Sequence, residues 1–411
     1  MSSRIKPPSG WKTALLDDVT ERGSGHTPNN EIPEYWNGGV AWVSLADSSE
    51  LDKGLISQTA KETSEAGLRN SSAVLHPAGT VIMSRDAGIG KSAVLARDMA
   101  VSQHFIAWRC REAGQLHNWF LYHWLQSRKK EFERQGVGST IKTIGLPYFR
   151  RLEISYPPYK EQEKIAEILS TWDQAIATTE RLIELSCTRQ KVLMRHLLTG
   201  KVRLPGFSAE WERRSIEAIS DRVNRRNNGA GHPILTISST SGFVRQDEKY
   251  SRYMAGKSAE TYIHLREGDF AYNKGNSKTY EFGCIFDLKG YKEALVPHVY
   301  VCFRLKEGFS RSFYRSLFES DYLRPQLSRI VKTGVRNNGL LNITAAEFLR
   351  TSVPVPTLDE QEAIARVMED ASATIEKYQT YLRMLRGEKH TLLQQILTGK
   401  CRVSLDKEIA A

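Results

Sequence analysis

The sequence is poor in cysteine, and the few cysteines are not placed for zinc or disulfide chemistry. Five occur among 411 residues, widely spaced and without a Cys-x-x-Cys pair. This odd number of scattered thiols argues against a disulfide framework and fits a reducing cytoplasm, which is the expected location. They are Cys110, Cys187, Cys284, Cys302 and Cys401.

Long apolar stretches are also missing. No run reaches the roughly 18 apolar residues that a membrane span requires. The first ten residues, MSSRIKPPSG, lack the apolar core of a signal peptide. We therefore expect no membrane attachment and no secretion.

Negative charge is in deficit. The chain has 58 Lys and Arg against 47 Asp and Glu, which gives a net charge of +11. A basic protein favours a polyanionic partner. Nucleic acid is the leading candidate.

Two motifs resemble catalytic loops but lack a required residue. Gly88-Ile-Gly-Lys-Ser92 resembles the end of a nucleotide-binding P-loop, whose full pattern needs a glycine where Arg85 stands. Tyr156-Pro-Pro-Tyr159 resembles the tetrapeptide of amino-methyltransferases, in which an Asn or Asp carbonyl holds the target amine. Tyr156 offers no such carbonyl, and no Phe-x-Gly-x-Gly cofactor loop occurs. We expect this chain neither to hydrolyse nucleotides nor to transfer methyl groups.

Other catalytic sets are equally weak. Asp269, Asp287 and Lys289 loosely resemble the metal-binding acids and lysine of a nuclease, although scattered Asp and Lys are usually solvated surface groups. The ten histidines show no i, i+4 pairing, and His104 and His298, placed in predicted strands, are expected to be structural. No nucleophile, base and orienting group form a set. The chain is therefore predicted to be no enzyme, with no catalytic residue, no metal site and no cofactor of its own.

One stretch of the sequence is present twice. Residues Pro157 to Arg203 match residues Pro356 to Arg402 without a gap, 199 positions later. Such a match indicates an internal duplication. The residues that recur are Pro157, Glu161, Gln162, Glu163, Ile165, Ala166, Ile176, Leu193, Leu198, Thr199, Gly200, Lys201 and Arg203.

Both copies predict long helices. Apolar or small residues recur at alternating spacings of four and three, which is typical of a coiled-coil seam. Gly200 and Gly399 each precede a lysine, as expected just past a helix C-terminus. Roughly 40 residues make a rod of about 60 Å. Antiparallel pairing of two such rods predicts a pseudo-two-fold axis and a globular domain at each end. The predicted seam is Ile165, Leu169, Trp172, Ile176, Thr179, Ile183, Ser186, Leu193 and Leu197, and in the second copy Ile364, Met368, Ala371, Ile375, Tyr378, Leu382, Leu385, Leu392 and Ile396.

The two segments before the helices share one pattern. Each predicts several short strands, then an amphipathic helix over residues 116–134 or 310–324, a polar glycine-bearing loop and a final short strand. We predict an α+β protein in which two similar α/β domains are joined by two long antiparallel coiled-coil helices. The predicted boundaries are 1–156 and 204–355 for the domains, 157–203 for the first helix, and 356–411 for the second helix with the C-terminal tail.

The repeated motifs carry a family resemblance. Glu-Gln-x-x-Ile-Ala at 161–166 and 360–365, each followed by a helix ending in Leu-Thr-Gly-Lys at 198–201 and 397–400, resembles the specificity subunit of type I restriction-modification systems. The order domain, helix, domain, helix covers nearly the whole chain. The resemblance implies that each globular segment is a target-recognition domain reading one half of a split DNA sequence, and that the helices set the gap between the halves.

The resemblance also implies partners. The helices would seat two modification subunits that carry S-adenosylmethionine and methylate adenine N6. Restriction subunits would add an endonuclease that needs ATP and Mg and translocates DNA, which serves phage defence. This chain then supplies recognition and scaffold, while the partners hold the cofactors.

Side-chain chemistry selects candidate DNA contacts in two loops of each domain. Arg or Lys can bond guanine bidentately and Asn or Gln adenine, whereas Lys, Ser and backbone amides hold phosphates. Loops also carry such residues for turn geometry and solubility. The candidates are Ser84, Arg85, Lys91 and Lys142 in the first domain, and Asn273, Lys274, Asn276, Lys278, Arg336, Asn337 and Asn338 in the second.

The long helices are more apolar than one seam requires, which predicts a docking surface for another protein. Contact with the chain's own globular domains is the alternative. The candidates off the seam are Ile168, Leu182, Leu185 and Val192 in the first helix, and Val367, Tyr381, Met384 and Leu393 in the second.

Two functions from other classes stay open. A basic coiled-coil adapter would bind nucleic acid or acidic proteins without sequence specificity. A free-standing restriction enzyme would use Asp269, Asp287 and Lys289 and would cleave DNA as a purified chain with metal.

Overall fold

A computed structural model describes residues 8–110, 115–139, 142–249, 260–275, 277–331 and 340–404. The chain divides into two compact units. Unit 1 is Met1–Arg181 together with Thr380–Ala411, and unit 2 is Leu182–Gln379. Each unit contains a globular part and a segment of both long helices.

Unit 1 is built on two sheets. One has the strand order β2-β10-β7-β8-β4 and the other β5-β3-β9-β6, while β1 pairs with β11. The strands are β1 Lys12–Leu15, β2 Glu21–Ser24, β3 Trp36–Val43, β4 Leu55–Ile56, β5 Lys61–Thr63, β6 Leu75–His76, β7 Val81–Ser84, β8 Ser92–Leu95, β9 Met99–Val101, β10 Phe105–Arg109 and β11 Glu153–Tyr156. The helices are α1 Leu16–Val19, α2 Glu65–Arg69, α3 Asn118–Ser127, α4 Lys129–Gln135, α5 Leu146–Phe149 and α6 Tyr159–Leu197, the last continuing into unit 2.

Unit 2 repeats the central part of this arrangement. Its main sheet has the order β13-β20-β17-β18, and β14 pairs with β15, β16 with β19 and β12 with β21. The strands are β12 Glu212–Ser215, β13 Ser220–Arg222, β14 Leu235–Ser238, β15 Gly242–Arg245, β16 Ile263–Arg266, β17 Phe270–Asn273, β18 Cys284–Asp287, β19 Glu293–Val296, β20 Val301–Leu305 and β21 Ser352–Val355. The helices are α7 Ile216–Ile219, α8 Gln246–Lys249, α9 Arg311–Glu319, α10 Arg324–Ile330, α11 Ala345–Leu349 and α12 Leu358–Ile396, which ends in unit 1.

The central strands of both main sheets are covered on both faces. In unit 1, Val81 and Met83 of β7 pack with Phe120 of α3 in one core cluster, whereas Ile82 packs with Val43 of the second sheet in another. Because successive side chains of a strand point to opposite faces, these strands are apolar throughout. In unit 2 the same alternation places Phe270 and Tyr272 of β17 with Phe313 of α9, and Ala271 with Val296 of β19. The predicted use of one fold twice is confirmed by the shared strand order.

The amphipathic helix predicted over 116–134 is broken into α3 and α4 at Arg128, which has φ −103° and ψ 9°. Two side chains stabilise the break. The Ser127 hydroxyl donates to the Trp124 carbonyl at 2.6 Å. The Arg128 guanidinium lies over the Trp124 ring and bonds Glu131. A hydroxyl that bonds the backbone competes with the helical ladder. The copy in unit 2 breaks as well, at Asp321, which has a positive φ of 59°.

The two long helices match their prediction closely. Each has 39 residues. Gly200 and Gly399, with φ of +71° and +67°, follow the helix ends in the left-handed conformation that favours glycine. Of the predicted seam, Leu169, Thr179 and Met368 are among the buried positions.

The helices pack against each other and run antiparallel. In unit 1, Asp173 is bonded by Lys389, and Glu180 accepts from Arg386 at 2.6 Å. In unit 2, the amide of Gln190 donates to the Ser372 hydroxyl at 2.8 Å. The partner's number falls as the residue number on α6 rises, which is the register of an antiparallel pair.

The glutamate of each Glu-Gln motif forms an ion pair with the other copy of the repeat. In unit 1, both oxygens of Glu161 accept from Arg402, at 2.7 and 2.6 Å. In unit 2, both oxygens of Glu360 accept from Arg203, each at 2.7 Å. Glu161 and Glu360 are 3% and 1% exposed, so each buried carboxylate depends on its arginine. Bidentate pairing of this kind fixes orientation as well as charge.

The glutamine of the motif ties the start of each long helix to a shorter one. The Gln162 side chain accepts from the His117 amide at 2.8 Å, next to the first residue of α3, and donates to the Pro157 carbonyl at 2.9 Å. Gln361 repeats this with the Ser310 amide before α9 and with Pro356, both at 2.8 Å. Both glutamines are buried, so the motif fixes where each helix leaves its globular part.

Across the residues that the model describes, no helix combines the length and apolar character that a membrane crossing demands.

Replacing Arg203 by methionine should destabilise the protein, because the buried Glu360 carboxylate loses its positive partner. Removing one member of a buried ion pair costs about 3–5 kcal/mol, so the first unfolding transition of the full chain should fall to a lower temperature and urea concentration. Arg366→Met is the matched control. Arg366 lies on α12, the helix of Glu360, and its side chain is 68% exposed and 4.0 Å from Glu362. The control should change stability by less than about 0.5 kcal/mol. Equal stability of R203M and R366M would contradict the assigned role.

Candidate nucleic-acid interface

A basic cleft of about 470 Å³ opens in unit 1 at the end of β7 and β8. Three segments form it: the loop between these strands, α4, and the loop that leads out of α4. Two of the predicted DNA contacts, Lys91 and Lys142, line it. Lys129, which is not among the predicted contacts, lines it as well. The lining residues are Asp86, Ala87, Gly88, Ile89, Lys91, Lys129, Glu133 and Lys142.

Glycines shape the loop between β7 and β8. Gly88 and Gly90 have φ of +81° and +82°, a region that side chains with a Cβ rarely adopt. The Gly90 amide donates to the Ser84 carbonyl at 3.0 Å, and the Lys91 amide to the Gly88 carbonyl at 3.1 Å. The loop joins two antiparallel strands, whereas a P-loop leads from a strand into a helix. The Gly-Ile-Gly-Lys-Ser motif is therefore a turn that presents Lys91.

The lysines of the cleft differ in how firmly they are held. The Lys91 ammonium donates to the Ser48 carbonyl at 2.9 Å and to its hydroxyl at 3.0 Å. Lys129 forms an ion pair of 2.6 Å with Asp52. Lys142 is exposed, so its ammonium can reach a ligand without breaking a buried contact.

The exit loop lies beside the strand loop. The Ile144 amide donates to the Arg85 carbonyl at 2.9 Å, and Val137 and Thr143 exchange backbone hydrogen bonds of 3.1 and 3.0 Å. Through these bonds the two loops selected from the sequence form one surface. Lys142 is two residues from Ile144 along this loop.

Polar atoms at the cleft lack hydrogen bonds within the described part of the chain. They are Arg85 Nε and Asp86 Oδ1, which are shielded from solvent and 3.8 Å apart. The other oxygen of Asp86 lies 2.5 Å from His104 Nδ1. Asp86 lines the cleft, whereas Arg85 is not among the lining residues.

Unit 2 brings the corresponding loops together. Gly275, just after β17, forms a β-bridge with Leu340, and the Leu341 amide donates to the Lys274 carbonyl at 3.0 Å. The strand loop that begins at Asn273 therefore lies beside the end of the loop that follows α10, as in unit 1. Of the predicted contacts in these loops, Asn276, Arg336, Asn337 and Asn338 lie outside the described residues.

Several predicted contacts are engaged in holding the loops. Ser84 is fully buried, and its hydroxyl donates to the Ala87 carbonyl at 3.2 Å. The Asn273 side chain accepts from the Gly275 amide at 3.0 Å, and the Lys274 ammonium donates to the Ile343 carbonyl at 2.8 Å. Lys278, in contrast, is exposed. Lys142 and Lys278 are thus the most accessible of the predicted contacts that the model describes.

The carboxylates of the nuclease hypothesis are occupied by arginines. Asp269 has no exposed surface. It bonds Arg225, accepts from Arg304 Nε at 2.5 Å and accepts from the Arg266 amide at 2.7 Å. A carboxylate so neutralised offers little to a metal ion.

Asp287 is held in the same way. Its oxygens accept from Arg315 Nε at 2.8 Å and from Arg311 Nε at 2.5 Å. Burial raises the pKa of Asp287, but the hydrogen bonds and charges of Arg315 and Arg311 outweigh burial and hold that pKa below its usual range. The geometry of both aspartates therefore gives the free-standing nuclease no support.

The histidines expected in strands lie elsewhere. His104 and His298 occupy turns that precede β10 and β20. The prediction was wrong by a few residues because the apolar pattern of each strand begins just after its histidine.

The predicted docking residues divide into two groups. Leu182, Leu185 and Val192 in unit 2 are exposed, as are Tyr381 and Met384 in unit 1. Ile168 and Leu393 instead belong to or pack against the core cluster of unit 1, and Val367 packs against that of unit 2. For these three, contact with the chain's own globular part accounts for the apolar side chain.

A model of the type I restriction modification DNA specificity domain matches residues 8–185. The chain is 26% identical to the MjaIX specificity subunit of Methanocaldococcus jannaschii over 181 residues, which span 44% of this chain and less than half, 42%, of that relative. It is 22% identical to the MjaVIII specificity subunit of the same organism over 437 aligned positions, which cover 97% of this chain and 95% of the relative.

The fold is shared with a solved structure. The S subunit of the type I restriction-modification system from M. genitalium superposes with a TM-score of 0.57 and 14% identity, covering 96% of each chain. At this identity the likeness concerns the fold alone. It extends over the globular parts and both long helices.

Proposed function

The chain being a specificity subunit of the type I restriction-modification family, we propose that each of its two recognition domains reads one half of a split duplex DNA site. The observation that carries the proposal is the pairing of a strand loop with an exit loop around lysines, found in unit 1 and again in unit 2. Two copies of one recognition fold with different loop sequences suit two different half-sites.

In unit 1 the cleft suits a phosphate backbone. Lys91 and Lys129 have one oxygen-rich partner each and keep further N–H donors, while Lys142 is exposed. Such contacts fix position and bind any sequence. We assign base reading to Arg85, next to the cleft residue Asp86 in the chain, because a guanidinium can bond guanine bidentately. In unit 2 we assign base reading to Asn276, Arg336, Asn337 and Asn338 on their chemistry.

The paired helices set the spacer between the half-sites. Each helix has 39 residues, or about 58 Å at 1.5 Å per residue. Recognition elements that address the same face of a duplex must be about one helical turn apart, roughly 34–36 Å. Ion pairs of Asp173 and Glu180 join the two helices in unit 1, and the Gln190–Ser372 hydrogen bond joins them in unit 2.

The exposed apolar residues of the helices would seat modification subunits. Leu182, Leu185 and Val192 are spaced by three and seven and share one helix face, and Tyr381 and Met384 are three apart. Leu185 and Met384 are each 49% exposed. Exposed apolar side chains that lie together on one helix face are typical of a docking surface. We assign one modification subunit to each group. Those subunits would carry S-adenosylmethionine and methylate adenine N6, and restriction subunits with ATP and Mg would join them in the cytoplasm.

Base-resolved mapping of N6-methyladenine, in a host that carries the chain and its partner genes, tests the half-site assignment. Arg85→Ala should relax or abolish one half-site, and Asn337→Ala the other, because a lost bidentate base contact costs about 1–3 kcal/mol at one position. Lys12→Ala, an exposed lysine of unit 1 away from the cleft, should leave the motif unchanged.

Equal loss at both half-sites for either variant would indicate a general phosphate or folding role. If deletion of the chain leaves the methylome unchanged while the partner genes are expressed, the non-specific adapter replaces the proposal.

The spacer assignment is tested by adding four residues to each helix, after Arg181 and after Arg383. These positions keep the Glu180–Arg386 and Gln190–Ser372 bonds in register. The added length is about 6 Å, so the methylated motif should gain one or two base pairs of spacer at roughly 3.4 Å each, with unchanged half-sites. Four residues added after the exposed Gly206 should leave the spacer as it is. Altered half-sites with an unaltered spacer would refute the idea.

The docking assignment is tested by Leu185→Glu. A carboxylate placed in an apolar interface is costly to desolvate, so we expect at least a tenfold weaker association with the modification subunit, or about 1.4 kcal/mol. Leu55→Glu is the matched control, since Leu55 is 52% exposed on a short strand. Both variants should keep the thermal midpoint of the isolated chain. Undiminished co-purification of L185E with the partner would exclude this face.

A further inference from the structure

Three metal-binding side chains converge in unit 2, away from the DNA loops. His264 lies in β16 and Glu293 in its neighbour β19, whereas His232 lies in the loop before β14. One ligand atom from each falls within 4.8 Å of the other two. His264 and Glu293, 29 positions apart, meet because the two strands pair antiparallel, with Leu295 opposite His264 and Glu293 opposite Arg266. The β-bridge of Ile234 with Leu295 brings the loop of His232 beside them.

The present contacts leave both histidines unsatisfied. His232 Nε2 is 3.6 Å from one oxygen of Glu293, and His264 Nε2 is 3.5 Å from the other. These distances exceed those of N–H···O hydrogen bonds, about 2.7–3.2 Å. Both nitrogens are shielded from solvent and have no hydrogen bond in the part of the chain that the model describes. His264 is only 4% exposed, so its ring lies inside the protein.

The same distances suit a shared ion. Zinc lies about 2.0–2.1 Å from histidine nitrogen and 2.0–2.2 Å from carboxylate oxygen in tetrahedral sites, which places two ligand atoms roughly 3.4 Å apart. The observed separations between each histidine nitrogen and its Glu293 oxygen, 3.5 and 3.6 Å, are close to this distance between ligand atoms. We propose that His232, His264 and Glu293 bind one zinc ion.

The chemistry of each ligand agrees with the site. A metal binds the neutral imidazole through a ring nitrogen, and both rings present Nε2 toward Glu293. Glu293 is partly exposed and presents one oxygen to each ring. Arg266 Nε lies 3.3 Å from Glu293, but its side chain is 58% exposed, so this weak surface pair yields to an ion of double charge.

A groove of about 320 Å³ lies beside His232. Solvent reaches the cluster at Glu293, whose side chain is 36% exposed, so water can complete a tetrahedron. The imidazole rings now stack, with centroids 4.5 Å apart and 15° between their planes. Since a bound metal lies in the plane of each ring, one ring must turn about χ2, a torsion with a broad profile. The residues of the groove are Gly231, His232, Pro233, Ile234, Arg245, Gln246 and Asp247.

The ion would fasten a loop to a strand pair. Backbone bonds already hold the two ends of the loop: the His264 amide donates to the Arg225 carbonyl at 2.8 Å, and the Leu295 amide to the Pro233 carbonyl at 2.9 Å. His232 sits next to Pro233, so a bond from it to the ion fixes the intervening loop. The role assigned to zinc is structural, and binding should raise the thermal midpoint by mass action.

The test is a zinc titration of the EDTA-stripped full chain, by calorimetry and by competition with a chromogenic chelator. We expect one equivalent of zinc bound by the wild type and at least a tenfold loss of affinity in His232→Ala and Glu293→Gln. Both residues are partly exposed, so these variants retain the fold. His390→Ala, an exposed histidine of α12, is the matched control and should bind within twofold of wild type.

Cobalt(II) identifies the ligands, because nitrogen and oxygen ligation lacks the near-ultraviolet charge-transfer band of a cobalt thiolate, which the five cysteines would give. A visible band without that charge transfer, lost in E293Q, supports the site. The proposal is overturned if the wild type binds no zinc, if the thiolate band appears, if iron(II) binds and zinc does not, or if H232A and E293Q bind as tightly as H390A.

Discussion

The structure depends on two buried carboxylates that each take their counter-charge from the other half of the chain. Glu161 is satisfied by Arg402 and Glu360 by Arg203. Burying a carboxylate without a partner costs several kcal/mol, so the start of one long helix is stable only where the end of the other helix comes to meet it. Antiparallel pairing of the helices follows from this exchange as much as from the apolar seam. The neighbouring glutamines, Gln162 and Gln361, then connect that joint to the first turn of a recognition-domain helix.

The globular parts of the two units present loops of different sequence on main sheets of corresponding strand order. Their central strands are covered by helices on one face and by strands on the other, so little of the sheet can change without opening a cavity. The loops at the strand ends carry no such constraint. In both units a backbone bond joins the strand loop to the exit loop, and it uses main-chain atoms alone. Side chains in these loops can therefore vary while the surface that they form persists.

The sequence was most informative where residues recur. The duplication gave the length and the glycine ends of both helices, and the apolar runs gave the central strands, β7 and β10 in unit 1 and β17 and β20 in unit 2. It identified Glu161 and Arg203 as repeated residues, but not as members of two crossed ion pairs, because spacing along a chain says nothing about which copy meets which. Lys129 lies in the basic run Arg128 to Lys130, and the sequence does not indicate which of these three side chains faces the cleft. Ser84 and Asn273 were selected for their chemistry, whereas burial and local hydrogen bonds commit them to shaping a turn. His232 and His264 show the limit most clearly, since 32 positions separate a loop residue and a strand residue whose rings stack in the fold.

Each compact unit is assembled from both copies of the duplicated sequence. Unit 1 takes the end of its second helix, with Arg402, from beyond residue 379, and unit 2 takes Arg203 from the end of the first copy. One repeat alone therefore contains a complete recognition domain but only half of each joint, while two identical repeats in separate chains would contain everything that both joints need. Inheritance can exploit this arrangement. A gene segment encoding one globular part would, after exchange between related genes, leave both joints intact if it kept the glutamate, the glutamine and the arginine.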